Sequence, residues 1–288
     1  MSRKDMPETF KVLFIGNSYS ENTAALMPNM AKIFGFKKIE ICYLYKGGCS
    51  LDEHWNNMMQ QSPEYKYCRV KPAIKTLNKI KVLSEKISIQ DAVKDKKWDW
   101  IVLQQTSCTS GEAYSYSQLP GLIRMIKSHL QDKNHTKFAF NMTWAYHSEY
   151  DKLKDFYDGS QKKMYEDTCA AVQLVVEKNP DIELIIPAGT AIQNIRTNLP
   201  MLMEYTCDDT HLNANGAYVA SLTAVFAFWT YYNPLVLLHF LLDDIYHPKP
   251  KYVFTQHGRK FRLNNTFTKD YRDAAIAAMF NSYKVTEV

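Results

Sequence analysis

The feature that most constrains the fold of this chain is a series of five short apolar runs separated by longer stretches with helical periodicity. The runs occupy residues 11–16, 38–44, 98–105, 137–144 and 182–189. Short apolar runs between turn signals are typical of strands in a buried sheet. Because the runs alternate with helices, the sequence predicts an α/β fold with a central parallel sheet and helices on both faces.

The remaining segments are expected to be mostly helical. Helical spacing of apolar residues occurs at residues 22–36, 119–130, 149–179 and after Asn213, and Pro28 is expected to kink the first of these helices. Residues 62–95 show no strong period, and we expect short helices there over the sheet edge. The sequence predicts a single domain over residues 1–288, with a core at about 11–229 and a helical C-terminal extension at 230–288.

One apolar segment raises the question of a membrane span. Residues 216–242 contain no Asp, Glu, Lys or Arg and are long enough to cross a bilayer. They also contain Asn233 followed by Pro234, a pair that interrupts helices. Two buried helices joined at a turn explain the segment better, so membrane association is not expected.

Composition and charge exclude several classes of protein. The 288 residues carry a net charge of +5, with basic and acidic residues mixed along the chain, so no nucleic-acid partner is expected. The six cysteines have no metal-ligand spacing, so no metal site is expected. The N-terminal residues lack an apolar stretch, which predicts a cytoplasmic protein from the chain as given, or a periplasmic or secreted one if a signal peptide was trimmed.

In an open parallel sheet, ligands bind beyond the carboxyl ends of the strands. The segments that follow the first four predicted strands are therefore the candidate site. They are Gly16-Asn17-Ser18, Lys46 to Ser50, Gln104 to Ser107 and Asn141 to Tyr146.

Ser18 lies where the first strand stops and a helix begins, so it is either the cap of that helix or a nucleophile. A nucleophilic serine needs a histidine base that is oriented by a carboxylate. Asp208 and His211, three residues apart before a helix start, supply such a pair. The alternative is that Asp208 or Asp209 is a turn residue and His211 an ordinary surface residue.

Acyl transfer also requires donors aimed at a developing oxyanion. Gly48 follows the second strand and can bring its backbone N–H close to a ligand. Gln104 and Gln105 end the third strand and point to opposite faces if the strand alternates, which favours Gln105 as the donor. Both features also have plainer interpretations, since Gly48 can simply form a turn and the glutamines can be a polar strand end.

Taken together, these motifs resemble the SGNH (GDSL-type) hydrolase superfamily, and more specifically an SGNH-like branch common in gut bacteria. The "IGNS" stretch at residues 15–18 resembles the family's nucleophile motif, with Asn17 where Asp is commoner. Gly48 in "GGCS" matches the oxyanion glycine, and Asp208 and His211 match the final D-x-x-H block. The family's G-x-N-D block is missing, and "LQQTSCTSG" stands in its place. Gln105 is the expected substitute for its asparagine, with Gln104 or Ser107 as alternatives.

The resemblance covers about residues 11–229 and implies a three-layer α/β/α sandwich of the flavodoxin-like type, with a parallel sheet of about five strands. It also implies esterase chemistry without a metal ion or an organic cofactor. The absence of G-x-S-x-G argues against the α/β-hydrolase fold.

The sequence thus favours a serine esterase that hydrolyses O-acyl groups, acetyl in particular, of a small molecule or an oligosaccharide. Ser18 is the expected nucleophile, His211 the base and Asp208 its orienting acid, with Gly48 and Gln105 at the oxyanion. Substrate contacts are expected from Asn17, His54, Trp144 and Tyr146. For His54 a structural role on a helix is favoured over a substrate contact, and a core Trp144 with an edge Tyr146 is an equally good interpretation of that pair. The alternative hypotheses are a non-catalytic carbohydrate-binding protein on the same scaffold and a lipid-acyl hydrolase held near membranes.

Overall fold

The centre of the molecule is a sheet of seven strands. The computed structural model describes residues 6–33, 36–72, 79–199, 205–235, 253–256 and 259–287. The strands of the sheet are β1 (Thr9–Gly16), β2 (Lys38–Tyr45), β3 (Tyr65–Lys71), β4 (Lys79–Ile87), β5 (Trp100–Leu103), β6 (Lys137–Asn141) and β7 (Leu184–Ile186). Their order across the sheet is β4-β3-β2-β1-β5-β6-β7.

Five of these strands are parallel, and they are the five that the apolar runs predict. Strands β2, β1, β5, β6 and β7 pair in parallel register. Counted along the chain, their order is 2-1-3-4-5, which is the flavodoxin-like order of doubly wound folds. The carboxyl ends of β1, β2, β5 and β6 therefore lie along one edge of the sheet, as a site at that edge requires.

The segment at residues 62–95 departs from the prediction. Instead of short helices alone, it forms β3 and β4, which extend the sheet in antiparallel pairing beyond β2. Among the residues of this segment that the structure describes, 62–72 and 79–95, α4 (Ile89–Lys94) is the one helix. The pairing of β3 with β4 shifts register near Tyr67, so the alternation of inward and outward residues breaks within the strand.

Helices cover both faces of the sheet. The other helices are α1 (Ser18–Ala24), α2 (Met27–Ile33), α3 (Leu51–Met59), α5 (Leu119–His129), α6 (Leu153–Phe156), α7 (Gln161–Ala171), α8 (Ala188–Asn198), α9 (Ala214–Tyr232) and α10 (Thr268–Phe280). Helices α3, α4 and α5 pack together, and α1, α2, α8 and α10 pack around α9. The sandwich expected from the resemblance is thus confirmed.

Residues 22–36 form parts of two helices rather than one kinked helix, and Pro28 lies in the first turn of α2.

Helix α9 accounts for most of the uncharged segment at residues 216–242. It is buried along nearly its whole length, as expected for a core helix. The second helix predicted for this segment falls largely outside the described residues. Among the helices that the structure describes, none has both the length and the apolar character needed to cross a bilayer.

The sequence predicts a helical C-terminal extension, but the structure shows strands there as well. It contains an antiparallel pair, β8 (Val253–Gln256) and β9 (Arg259–Arg262), before α10. Helix α10 then packs against α8 and α9. The division of the chain into a core and an extension within a single domain stays a prediction.

Candidate active site

The turn between β1 and α1 is built so that Ser18 is not the helix cap. Asn17 takes that role, because its side-chain Oδ1 accepts the backbone N–H of Tyr19 at 3.0 Å. A glycine suits position 16 just before it, since a Cβ there would collide with Ser20 Oγ and the Gln104 side chain. The Ser18 hydroxyl is therefore not used for capping, and the capping interpretation of this serine is wrong.

Three side chains distant in sequence meet at this turn. Ser18 Oγ lies 2.7 Å from His211 Nε2, and His211 Nδ1 lies 2.8 Å from Asp208 Oδ2. This chain of hydroxyl, imidazole and carboxylate is the arrangement that activates a serine for nucleophilic attack. The structure thus brings together the three residues that the motifs single out as a triad.

The turn that carries Asp208 holds its carboxylate in place. Asp208 Oδ1 accepts the backbone N–H groups of His211 and Thr210 at 2.7 and 2.8 Å. Burial alone would raise the pKa of Asp208, but these hydrogen bonds and the His211 ring outweigh it and lower the pKa to about 2. An ionised Asp208 favours the tautomer of His211 that carries its proton on Nδ1, so that the unprotonated Nε2 is the ring nitrogen that faces the Ser18 hydroxyl.

The turn is also fixed to its surroundings. Leu212 donates its backbone N–H to Asn22 Oδ1 on α1 at 3.0 Å, which ties the histidine turn to the serine helix. Trp144 donates its indole N–H to the carbonyl of Thr210 at 2.9 Å. Asp209 contributes its backbone carbonyl to the segment after β6, by accepting the N–H of His147. Asp208, rather than Asp209, is the acid that faces the imidazole.

The sequence of the chain matches a known protein family. The model of the domain of unknown function DUF4886 matches residues 11–237. The chain belongs to the DUF4886 family. It is similar to the crystal structure of a DUF4886 family protein from Bacteroides uniformis ATCC 8492, at 30% identity and a TM-score of 0.79, over 97% of this chain and 98% of that one.

Two more distant solved structures carry hydrolase descriptions. A putative SGNH hydrolase from Slackia heliotrinireducens has 17% identity and a TM-score of 0.45, covering 76% of this chain and 99% of its own. An acetyl xylan esterase has 15% identity and a TM-score of 0.45, covering 77% and 99%. No curated protein matches the chain. The relation to SGNH hydrolases that the motifs predict is consistent with the strand order and the placement of Ser18, Asp208 and His211.

In this DUF4886 protein, the loop after β2 reaches over to the serine turn. Gly48 lies in this loop with a φ of +64°, a conformation that favours glycine. Asn17 Nδ2 donates to the carbonyl of Cys49 at 3.3 Å, and Lys46 donates its backbone N–H to Gly16 at 3.1 Å. The ends of β1 and β2 are thus joined on both sides of Gly48.

Gln105 does not have a free amide, which corrects its expected role as an oxyanion donor. Its Nε2 donates to the carbonyl and hydroxyl oxygens of Ser115 at 2.6 and 3.0 Å. Its Oε1 accepts the backbone N–H of Leu51 at 3.0 Å. Gln105 therefore links β5 to the start of α3 and to the 3₁₀ turn Ala113–Tyr116.

Both polar atoms of the Gln104 amide also have hydrogen-bond partners. Its Nε2 donates to Asn17 Oδ1, and its Oε1 accepts the hydroxyl of Ser20, both at 2.6 Å. Ser107 is the third alternative for the side-chain donor. Its hydroxyl lies 3.0 Å from the Tyr146 hydroxyl, and either of the two can donate.

His54 lies beneath the Gly48 loop and does not face the site. It is completely buried on α3, and its Nδ1 lies 2.7 Å from the Tyr65 hydroxyl and 3.4 Å from Cys49 Sγ. Burial lowers the pKa of His54 to about 3, so the ring is neutral. The expectation that His54 contacts substrate is therefore wrong, and the structural interpretation holds.

Trp144 and Tyr146 are also buried, which corrects the expectation that their rings contact substrate. The Trp144 ring stacks on Tyr19 with a centroid distance of 4.2 Å. It thereby supports the serine helix as well as the histidine turn. Sequence reasoning missed Tyr19, and the only available signal was its place directly after Ser18.

Among the residues that the structure describes, no group of three His, Cys, Asp or Glu side chains could hold a metal ion.

Proposed function

We propose that this protein is a serine esterase that hydrolyses O-acyl groups, acetyl in particular, carried by a carbohydrate. The observation that carries the proposal is the pair of contacts from Ser18 Oγ to His211 Nε2 and from His211 Nδ1 to Asp208 Oδ2, at 2.7 and 2.8 Å. A serine without such a base is a poor nucleophile at neutral pH.

The reaction follows from these contacts. Ser18 Oγ attacks the ester carbonyl carbon while His211 Nε2 takes the hydroxyl proton. The tetrahedral intermediate then collapses, the carbon–oxygen bond to the alcohol breaks, and His211 returns the proton to the departing oxygen. Water next gives a proton to His211 and attacks the acyl-serine. The acid leaves, and Ser18 regains its proton.

Two backbone donors would stabilise the negative oxygen of the intermediate. The N–H of Ser18 belongs to the first turn of α1, whose amides have no partner within the helix. The N–H of Gly48 is presented by the loop that Asn17 holds to the serine turn. Each donor of this kind is typically worth about a hundredfold to a thousandfold in rate.

The deciding experiment compares wild type with Ser18→Ala on an aryl acetate and with a fluorophosphonate probe. We expect hydrolysis and labelling in the wild type and neither in the variant. Ser128→Ala, at an exposed serine of α5, is the matched control and should behave as wild type.

Equal activity of Ser18→Ala and wild type would remove the serine from the reaction. A wild type that neither hydrolyses nor labels would favour the non-catalytic binding protein. Equal rates on acetyl and long-chain esters would favour the lipid-acyl hydrolase.

A further inference from the structure

Cys49, the residue after Gly48, anchors the loop that follows β2. Gly48 lies within a tight turn, which the backbone N–H of Cys49 closes on the carbonyl of Lys46 at 3.3 Å. The carbonyl of Cys49 accepts Asn17 Nδ2 at 3.3 Å, so the same residue also contacts the serine turn. Because Cys49 directly follows Gly48 in this turn, a shift of Cys49 would change the direction of the Gly48 N–H.

The side chain of Cys49 belongs to a polar cluster in the protein interior. Cys49 Sγ lies 3.4 Å from His54 Nδ1 and 3.8 Å from the Tyr65 hydroxyl. The same hydroxyl lies 2.7 Å from His54 Nδ1 and accepts Asn57 Nδ2 at 3.1 Å. Cys49, His54 and Tyr65 are each completely buried, so water does not compete for these contacts.

A histidine at position 54 has an energetic cost that packing alone does not explain. Its Nε2 is buried and has no hydrogen-bond partner among the described residues. In either tautomer of the neutral ring this nitrogen is an unpaired donor or acceptor, and such buried groups are destabilising. An apolar side chain of similar size would avoid that cost. What the histidine adds is the pair of Nδ1 contacts with Tyr65 and Cys49.

Two regular elements support the cluster. Tyr65 is the first residue of β3, and its register partner on β4 is Ile87. The two side chains that contact its hydroxyl, His54 and Asn57, lie one turn apart on α3. The antiparallel part of the sheet and α3 thus give Cys49 a rigid support.

We propose that His54 is a positioning residue which, together with the Tyr65 hydroxyl, holds Cys49 so that the N–H of Gly48 faces the oxyanion at Ser18. The proposal rests on the proposed esterase function, because it assigns the effect of His54 to the transition state of that reaction. The hold on the loop is nevertheless measurable without catalysis, since the buried thiol of Cys49 becomes accessible when the loop opens.

The test compares two substitutions of the same residue. Asn places its amide atoms as many bonds from Cβ as Nδ1 of histidine, and these atoms can take over both the donor and the acceptor role of Nδ1. Gln is closer to histidine in size, but it places its amide atoms as far from Cβ as Nε2. A role in packing alone therefore favours His54→Gln, whereas the proposed role favours His54→Asn.

We expect His54→Gln to lower kcat on an aryl acetate by about tenfold, with KM within about twofold of wild type. His54→Asn should keep kcat within about threefold of wild type, although the smaller side chain lowers the thermal unfolding temperature more. Tyr65→Phe removes only the hydroxyl, should lower kcat by about fivefold and covers the case in which His54→Gln fails to fold. His129→Gln, the same exchange at a half-buried histidine of α5, is the control and should behave as wild type.

Alkylation of the native full-length protein by iodoacetamide, followed peptide by peptide with mass spectrometry, measures the opening of the loop. Cys49 should react about tenfold faster in His54→Gln than in wild type, and His54→Asn should resemble wild type. Cys42, which is completely buried on β2, is the internal reference because opening of the loop alone does not expose it.

Wild-type kcat together with wild-type protection of Cys49 in both His54→Gln and Tyr65→Phe would overturn the proposal. Losses in His54→Asn as large as those in His54→Gln would also overturn it, because side-chain size would then govern the effect. Equal acceleration at Cys49 and Cys42 would do the same, since it would assign the effect to global unfolding.

The failure of this proposal differs from the failure of the esterase function. Ester hydrolysis by wild type that none of these substitutions changes would refute the role of His54 alone. A wild type that neither hydrolyses esters nor reacts with a fluorophosphonate, while His54→Gln still exposes Cys49, would refute the esterase function alone.

Discussion

The exchange of Asn17 for Asp tests how the serine turn and the Gly48 loop are joined. Asn17 is 2% exposed and bridges three groups. Its Oδ1 accepts from Tyr19 and Gln104, and its Nδ2 donates to the carbonyl of Cys49 at 3.3 Å. Asn17→Asp keeps the size of the side chain and the acceptor, but it places a second oxygen against the Cys49 carbonyl.

The free-energy cost of the Asn17→Asp exchange follows from these contacts. The variant loses one buried hydrogen bond and leaves the Cys49 carbonyl facing another acceptor, a change of about 2 kcal/mol. If the loop relieves this repulsion by moving away from the turn, Gly48 no longer faces an oxyanion at Ser18. The same energy then appears as a loss of about 30-fold in kcat. KM should change much less, because the lost interaction belongs to the transition state.

The assay is aryl acetate hydrolysis at several pH values, with thermal unfolding measured in parallel. The protonated form of the introduced carboxyl group can still donate to Cys49, whereas the ionised form cannot. The ratio of variant to wild-type kcat should therefore fall as the pH rises through the pKa of that group. Asn56→Asp, the same exchange at an exposed position of α3, is the control. Wild-type kcat for Asn17→Asp at all pH values would refute the coupling.

Three further predictions concern the triad, the buried histidine and the loop. Asp208→Asn should lower kcat on an aryl acetate by about a thousandfold or more, because the amide cannot hold the imidazole in its required form; activity within tenfold of wild type would contradict the triad. His54, whose pKa burial lowers to about 3, must take up a proton when the chain unfolds in acid. Stability in denaturant titrations should thus fall by up to about 1.4 kcal/mol per pH unit from pH 6.5 toward 3, and His54→Phe should flatten this decline; equal slopes would argue against a neutral His54. Gly48→Ala should cost about 1–2 kcal/mol in unfolding free energy through its positive φ alone, since its Cβ would meet no other atom, and Gly48→Asn should cost less.

Much of the fold follows from local pattern. Strands β1, β5 and β6 are largely buried on both faces, so each contains an apolar run that stands out from its amphipathic neighbours. The proximity of Ser18, Asp208 and His211 was predictable for a related reason. A parallel sheet gathers the carboxyl ends of its strands at one edge, and the motif order supplied the rest.

The antiparallel pair was not predictable in the same way. Strand β3 has partly exposed Lys66 and Arg69 among its buried residues, so it is not a continuous apolar run. Register shifts near Tyr67 disturb the two-residue alternation that would otherwise reveal a strand. A sequence window cannot anticipate such a shift, because it depends on the partner strand.

The role of Gln105 was missed for a different reason. Alternation along β5 says which face a side chain takes, but it does not say whether its hydrogen bonds are already used. The partners of Gln105 are Ser115 and Leu51, and both are brought in by loops whose paths the sequence does not determine. The same holds for Trp144, whose aromatic ring suggests a binding surface until its contacts with Tyr19 and Thr210 are seen.

The hydroxyl of Ser18 and the imidazole of His211 are separated by 193 positions along the chain. The serine emerges early from the ribosome, whereas its base emerges only after every strand of the parallel sheet has been made. A nascent chain therefore carries an unactivated serine through most of its synthesis, and the proposed esterase activity should appear only after the turn that carries His211 has been made and can pack. Recovery of activity after dilution from denaturant would report the contact between these two distant segments rather than the first collapse of the chain.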